Sequence, residues 1–381
     1  MRSSVRFVRP YRQPGRQRGV AVITALLLTT LAISIVASLF WQQQVEVRSM
    51  ENQRLNLQTR WILRGALDWA TLALRQDAYT NKYTALTQVW ATPLAETRLD
   101  QYIERERVEG EVFDASLSGD IMDATSRYNL RNLENGNRID KAHLEIFQRL
   151  LTNLRLNPAL ARTAANLIAA SQPEIRPEGV DPNTGEEMGG QERDPGGNPG
   201  GEGAGGAGGG GLAAAGRDGD NPGAEATAQN TLPVSREGIG TPIKFMEVED
   251  LLAVKGFTPE MVERLRPFVI VLPKRTPVNV NTASPEVLAA VIPNFSLSEA
   301  NALLARRRNV PWSEIGMFTA ELGANRTLVP DSLSVQSNWF IVNSRIRLER
   351  AALNAQSLVE RDEPMSGGGI GGVKVVWVRQ N

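Results

Sequence analysis

Asp181, Asn183, Glu186 and Glu187 place four oxygen-bearing side chains within seven residues. Hard divalent cations take such ligands, calcium above all, but only the beginning of a calcium loop is matched. Gly185 stands where a third ligand belongs. A solvated loop is the favoured reading of this stretch. His143 is the one histidine and there is no cysteine. That excludes disulfides, thiolate metal sites, cysteine nucleophiles and histidine relays. A lone histidine on a helix reads as an exposed residue rather than a catalyst. No G-x-S-x-G, H-E-x-x-H or phosphate-loop pattern occurs. Eleven of the sixteen residues from Gly196 to Gly211 are glycine, yet no Lys follows to complete a phosphate cradle. The acid pair Glu186-Glu187 lies in that same flexible region, where no pKa tuning is expected. The expectation is that the protein is not an enzyme and requires no cofactor.

The chain has 381 residues, 42 basic and 42 acidic. Its length suggests two folded units or three, and its neutral balance excludes a globally basic, polyanion-binding chain. The N-terminus breaks that balance. Residues 2–18 carry six Arg and no acid, and Gly19–Val45 carries no charge at all. Val20–Trp41 as a helix spans about 33 Å, enough for about 30 Å of hydrocarbon. The basic flank keeps the N-terminus cytoplasmic and sends the bulk of the chain outside. A cleaved secretory signal would have a shorter apolar core and a small-residue cut site.

From Gln42 to Asp77 there is no Pro, and the single Gly is Gly65. Val47, Met50, Leu57, Trp61, Ile62, Ala66, Trp69 and Ala73 recur at spacings of three, four and seven. One helix of about 55 residues is expected, with this stripe laid on the protein's own sheet rather than in a coiled coil. Short strands are expected at Val108–Phe113 and Leu117–Ala124, and helices at His143–Leu154 and Ala159–Ala170. Residues 185–235 read as a Gly-rich flexible loop. Helices resume at Phe245–Val254, Pro259–Arg266, Ser284–Val291 and Ser298–Arg308, with an apolar extended segment at Val269–Leu272. Strands return at Trp339–Val342, Arg345–Leu348, Leu353–Val359 and Val373–Val378, the last two joined through Gly367–Gly372. Strands therefore bracket a helical block.

The string Arg18-Gly19-Val20-Ala21-Val22-Ile23-Thr24 sets a basic leader ending in Gly against an uncharged helix. It resembles a type IV pilin or pseudopilin precursor. The resemblance implies cleavage between Gly19 and Val20 by the prepilin peptidase, and N-methylation of Val20. Major pilins carry Glu at mature position five, where it pairs with a neighbour's amine; here Thr24 stands there. Losing that buried charge pair is similar to the minor pseudopilins of bacterial type II secretion of the protein K family, thought to sit at a fibre tip. Leu252-Ala253-Val254-Lys255-Gly256-Phe257-Thr258-Pro259 and Thr276-Pro277-Val278-Asn279-Val280-Asn281-Thr282-Ala283-Ser284-Pro285-Glu286-Val287-Leu288 also resemble strings of that family.

The fold so implied is α+β: a pilin-like long N-terminal transmembrane and amphipathic helix packed on a small antiparallel sheet. A large all-α domain with helix-hairpin-helix or SAM-like units is inserted in that sheet. The expected segments are a cleaved leader at 1–19, a transmembrane segment at 20–41 and a periplasmic helix at 42–92. The first part of the sheet follows at 93–130, the insert at 131–325 with a second hairpin unit at 243–310, and completing strands at 326–381. Implied partners are I-, J- and H-type minor pseudopilins, the prepilin peptidase, the inner-membrane assembly platform, and the secretin and cargo. The implied role is to initiate or limit fibre assembly from the inner membrane, with the bulk of the chain periplasmic, so that folded proteins cross the outer membrane. Relatives can bind calcium after the helix that ends near Ala170, but here Ser171-Gln172 follows. The alternative is a membrane-anchored DNA-binding protein: Leu252–Arg266 resembles a helix-hairpin-helix, Val278–Leu288 resembles parts of DNA-uptake receptors, and Arg306-Arg307-Arg308 adds positive charge. That triplet also suits a helix C-terminus complementing its dipole, and no nucleic acid is expected.

Overall fold

The computed structural model describes residues 18–101, 114–171, 230–235, 244–323, 326–362 and 372–380. The first helix, α1 (Arg18–Thr80), is 63 residues long, longer than the sequence suggests. Nothing interrupts it, since Pro is absent and Gly65 has no neighbour that crowds it. It ends where Asn81 turns back, its backbone N–H and side-chain amide both reaching Asp77 at 2.8 and 2.9 Å.

Beyond α1, β1 (Leu94–Arg98) pairs with β2 (Ala115–Asp123). Then the chain leaves the sheet. It forms β3 (Tyr128–Asn129), β4 (Glu134–Asn135), β5 (Arg138–Asp140), α2 (Lys141–Asn153) and α3 (Leu160–Ala170). After the residues not described come β6 (Thr231–Leu232), α4 (Pro259–Leu265), β7 (Val269–Ile270), β8 (Val278–Asn279), α5 (Pro285–Val291), α6 (Leu297–Arg307), α7 (Ile315–Leu322) and β9 (Leu333–Ser334). The chain rejoins the sheet as β10 (Trp339–Leu348), β11 (Ala351–Arg361) and β12 (Val373–Gln380). The sheet order is β1-β2-β10-β11-β12, antiparallel throughout. Phe340 opposes Asp123 across the β2–β10 ladder, so everything between Asp123 and Trp339 departs from and returns to one point.

Several expectations are corrected. Of the expected stripe, Val47, Met50, Leu57 and Trp61 are exposed and do not face the sheet, Trp69 is half exposed beside β2, and Ile62 and Ala66 do pack toward the sheet. The packed face is Leu55, Thr59, Leu63, Ala66, Leu67, Ala70 and Leu74. It meets Ile121, Phe340, Val342, Ile346, Ala355 and Val359, which alternate along the strands as period-two packing requires. Both faces of α1 are apolar, and periodicity finds a stripe without saying which one the sheet covers. Val248–Ala253 is a 3-10 turn rather than an α-helix, its entry tied down by the Asp250 carboxylate accepting from Met246 and Glu247 N–H. Trp339–Val342 and Arg345–Leu348 are one strand, and α7 was not foreseen. The strand expected at Val108–Phe113 and the loop Gly367–Gly372 lie largely or wholly outside the described residues, as does most of 185–235. At the end of that last stretch Thr231–Leu232 pairs with β5.

Helix α2 keeps Leu144, Phe147, Leu150 and Leu151 buried against α3 and α5, and Asp140 caps it by accepting from His143 N–H. Ser284 and Ser296 cap α5 and α6. One continuous core runs from Tyr128 to Val335, so the segments on both sides of the undescribed stretch build a single unit. That unit reaches the sheet's other face through Ile270 and Leu272, which pack on Trp339, Ile341 and Leu358.

Candidate functional site

The working part of this molecule is a rod, with a junction that sets a helical mass at its far end. The rod begins at Val20. Every residue from Val20 to Arg54 is exposed, and within it Val20–Trp41 has the length and composition to cross a membrane. Thr24 Oγ1 donates back into its own helix, to Val20 O and Ala21 O at 3.1 and 3.0 Å. A hydroxyl satisfied this way can sit in hydrocarbon without a partner. Position 24 thus has no charge to offer a neighbour.

The junction was not foreseen. At the end of β2, Asp123 is buried and uses both oxygens. Its Oδ1 accepts from Thr125 N–H and Oγ1, both at 2.8 Å. Its Oδ2 accepts from Asn279 Nδ2 at 2.9 Å and from the Thr282 and Ser337 hydroxyls, both at 2.5 Å. Asn279 also donates to Thr84 O at 3.0 Å. Beside it, Arg361 on β11 is buried and donates to Asp77 at 3.0 Å, Thr84 Oγ1 at 2.9 Å and Ser337 O at 2.8 Å. Burial pulls its pKa down, opposed by the carboxylates of Asp77 and Asp123. The network ties the end of α1, the sheet and the insert through saturated hydrogen bonding, which makes the contact directional. Asn279 lies inside the Val278–Leu288 string, and its polar side chain between two valines was a visible signal.

Other residues are placed as follows. His143 is buried, not exposed: its Nδ1 lies 3.3 Å from the Tyr128 hydroxyl, which donates to His143 O at 3.0 Å. Desolvation lowers its pKa to about 4. Arg307 is spent on the carbonyls of Val280 and Ala283, at 2.8 and 2.7 Å, and burial lowers its pKa to about 10. Arg306 pairs with Glu321. Of the triplet, Arg306 and Arg308 are exposed, and only Arg308 lacks an ion-pair partner among the described residues. Gly256, between the Val248–Ala253 turn and α4, has φ +103°, and a Cβ there would meet Leu160 of α3 at 2.7 Å. The positive φ, more than the movable Leu160 methyl, is what calls for glycine at this turn. Asp181, Asn183, Glu186 and Glu187 lie outside the described residues. Among the described residues no group of three or more His, Asp and Glu is placed to hold a metal ion.

Two family models described as type II secretion system protein K match residues 214–274 and 278–336. A type II secretion system protein K of Pectobacterium carotovorum is 24% identical, covering 90% of this chain and 92% of the relative. One from Pseudomonas aeruginosa is 27% identical, covering 87% and 85%. A chain in the crystal structure of the GspK-GspI-GspJ complex from the type 2 secretion system of enterotoxigenic Escherichia coli shares the fold. It superposes with a TM-score of 0.55 at 18% identity, over 87% of this chain and 99% of that one. The likeness carried by three separated motifs therefore holds across family models, near full-length relatives and fold, and it is to protein K of the type II secretion system.

Proposed function

We infer that this chain is a minor pseudopilin of the type II secretion system and serves assembly, not catalysis. The observation that carries the reading is α1 itself. An uncharged segment stands free from Val20 to Trp41 and runs unbroken into a helix docked on an antiparallel sheet. In the proposal a peptidase cuts between Gly19 and Val20, Val20 is N-methylated, and six Arg leave with the leader. The helix anchors the subunit in the inner membrane with its globular part in the periplasm. There it joins I-, J- and H-type pseudopilins on the assembly platform.

Thr24 supplies no carboxylate for a neighbour's amine, which suits a subunit with nothing stacked above it. The insert, read as hairpin or SAM-like units, is held at the Asp123 junction and covers the fibre end, facing the secretin and the cargo. No step uses a cofactor. Calcium on Asp181, Asn183, Glu186 and Glu187 rests on donor type alone.

Mass spectrometry of the mature protein tests the reading. Methylated Val20 is expected, and Gly19→Ala should leave the leader attached and abolish secretion. An intact Met1, or a cut that discards the apolar helix, would overturn it. The DNA-binding alternative gains nothing from the geometry, because Arg307 is engaged internally and Arg306 is paired at the surface with Glu321. A salt-dependent shift of duplex DNA by the full chain would revive it.

A further inference from the structure

Helix α1 covers one face of the five-stranded sheet. The opposite face divides in two. Its apolar half, Trp339, Ile341 and Leu358, lies under Ile270 and Leu272 of the insert. Its other half is polar and open. There the strands β2, β10 and β11 line a concavity of about 470 Å³, with Ser118, Asp120, Asn343, Arg345, Asn354 and Gln356 around it. All six point away from α1, because they alternate with the residues packed on it. Small-molecule sites commonly have volumes of about 300–1,000 Å³.

Two rows of side chains cross the floor. In the first, Asp120, Asn343 and Gln356 oppose one another across three strands. Asn343 Nδ2 donates to Asp120 Oδ2 at 2.9 Å, and Gln356 Nε2 donates to Asn343 Oδ1 at 3.1 Å. This ladder fixes the planes of the two amides. It leaves Asp120 Oδ1 and Gln356 Oε1 uncommitted among the described residues. The second row is Ser118, Arg345 and Asn354, two residues along and about 7 Å away. None of its three side chains has a hydrogen bond or ion pair among the described residues. Arg347, the next outward residue of β10, is exposed and equally unpaired there.

Six polar side chains and no apolar one give a protein partner nothing to anchor on. Asp120 on the floor repels a phosphate backbone. Donors and acceptors held side by side suit vicinal hydroxyls and acetamides, and unpaired guanidiniums at one end suit a carboxylate. A single pyranose ring reaches from one row to the other. We propose that this open half of the sheet binds a glycan chain with acidic substituents, the chemistry of the cell-wall polymer that surrounds a periplasmic chain. Sugar hydroxyls and acetamides meet the Asp120–Asn343–Gln356 ladder, Ser118 and Asn354. The acidic substituent meets Arg345 and Arg347. The proposal rests on the periplasmic placement given above, and it adds a contact with the wall to those with other subunits.

The experiment uses the full chain in an amine-oxide detergent, because a detergent with a sugar headgroup would compete for the site. The probe is purified, protein-free cell-wall sacculi, and the readout is the fraction of chain that pellets with them. The wild-type chain should pellet. The double change Arg345→Ala, Asn354→Ala should weaken binding by about tenfold or more, since it removes a charge-assisted and a neutral hydrogen bond. Its melting temperature should not move, because neither side chain has a partner in the fold. Arg308→Ala, which removes an unpaired charge elsewhere, should bind like the wild type. Soluble glycan strands carrying their acidic stems should displace the chain, and neutral dextran should not. No pelleting of the wild type, or full binding by the double variant, would overturn the proposal, as would an equal loss with Arg308→Ala. Displacement by acidic stem peptides alone but not by glycan would overturn the sugar assignment, and equal displacement by dextran the acidic one. Methylation of Val20 in the same preparation reports separately on the pseudopilin reading.

Discussion

Arg361 on β11 holds Asp77 near the end of α1 at 3.0 Å, with both side chains more than nine-tenths buried. This ion pair latches the long helix to the sheet at the end where the insert begins. Arg361 also lies over the Phe340 ring at 4.8 Å. Removing one member strands the other without its partner, and such losses cost about 3–5 kcal/mol. Asp77→Ala should therefore lower the unfolding free energy by about that much in denaturant titration. A loss below about 1 kcal/mol would mean the pair is solvated.

Asp123→Ala removes the acceptor shared by Asn279, Thr282 and Ser337. Hydrogen bonds to a charged group contribute about 1.5–3 kcal/mol each, and three donors are left buried. A destabilisation of at least about 3 kcal/mol is expected. Limited proteolysis should show faster cutting at the insert's two connections, near 124–127 and 335–338, while α1 stays protected. Unchanged cutting there would show that the insert is held by other contacts.

His143 is neutral in the folded chain, with its pKa depressed by desolvation to about 4 against an ordinary 6.5. Asp140 pushes the value up and Arg275 pushes it down. The unfolded chain takes up its proton first as pH falls. Stability supplied by the neutral ring is complete above about pH 6.5 and declines from there toward about pH 4, a loss on the order of 2–3 kcal/mol. As the only histidine, its ring protons give one pair of resonances. A midpoint near 6.5 in the folded protein would refute the burial.

Gly119 on β2 lies opposite Ser344 on β10, and a Cβ at 119 would sit 2.3 Å from the neighbouring Asn343 O. No flexible side chain can yield there, because the obstacle is backbone. Gly119→Ala should pry β2 from β10 and cost about 2 kcal/mol or more in thermal or denaturant unfolding. A neutral result would mean that the two strands can separate freely at this point.

Much of the architecture was legible early because it depends on local pattern. Six arginines ahead of an uncharged run mark a segment with the length and composition to cross a membrane. Ser284-Pro285 before an apolar run marks a helix start, since the cap hydroxyl needs only its own backbone, while the helix expected from Ser298 begins at Leu297 with Ser296 as its cap. Alternation in Ile346-Arg347-Leu348-Glu349 marks a one-sided strand. The break expected at Asn343-Ser344 did not occur: Ser344 is buried on the inner face, and Asn343 bonds Asp120 at 2.9 Å. Two polar residues can hold the middle of a strand when neighbouring strands satisfy them.

Which side of α1 is covered was not local information. Leu57 and Leu63 look equivalent in the sequence, and only the seating of β10 and β11 buries one and leaves the other in water. The same holds for His143, exposed by its local pattern and buried beside Tyr128 in the folded chain. Hydrophobic period, charge runs and caps are properties of neighbouring residues, so the chain alone determined an apolar membrane-length segment, a long helix and strands around a helical block. Partners as remote as Asp123 and Asn279, 156 positions apart, come together only through the packing of whole elements. The tertiary structure therefore decided the junction, the buried ion pair and the free face of the rod.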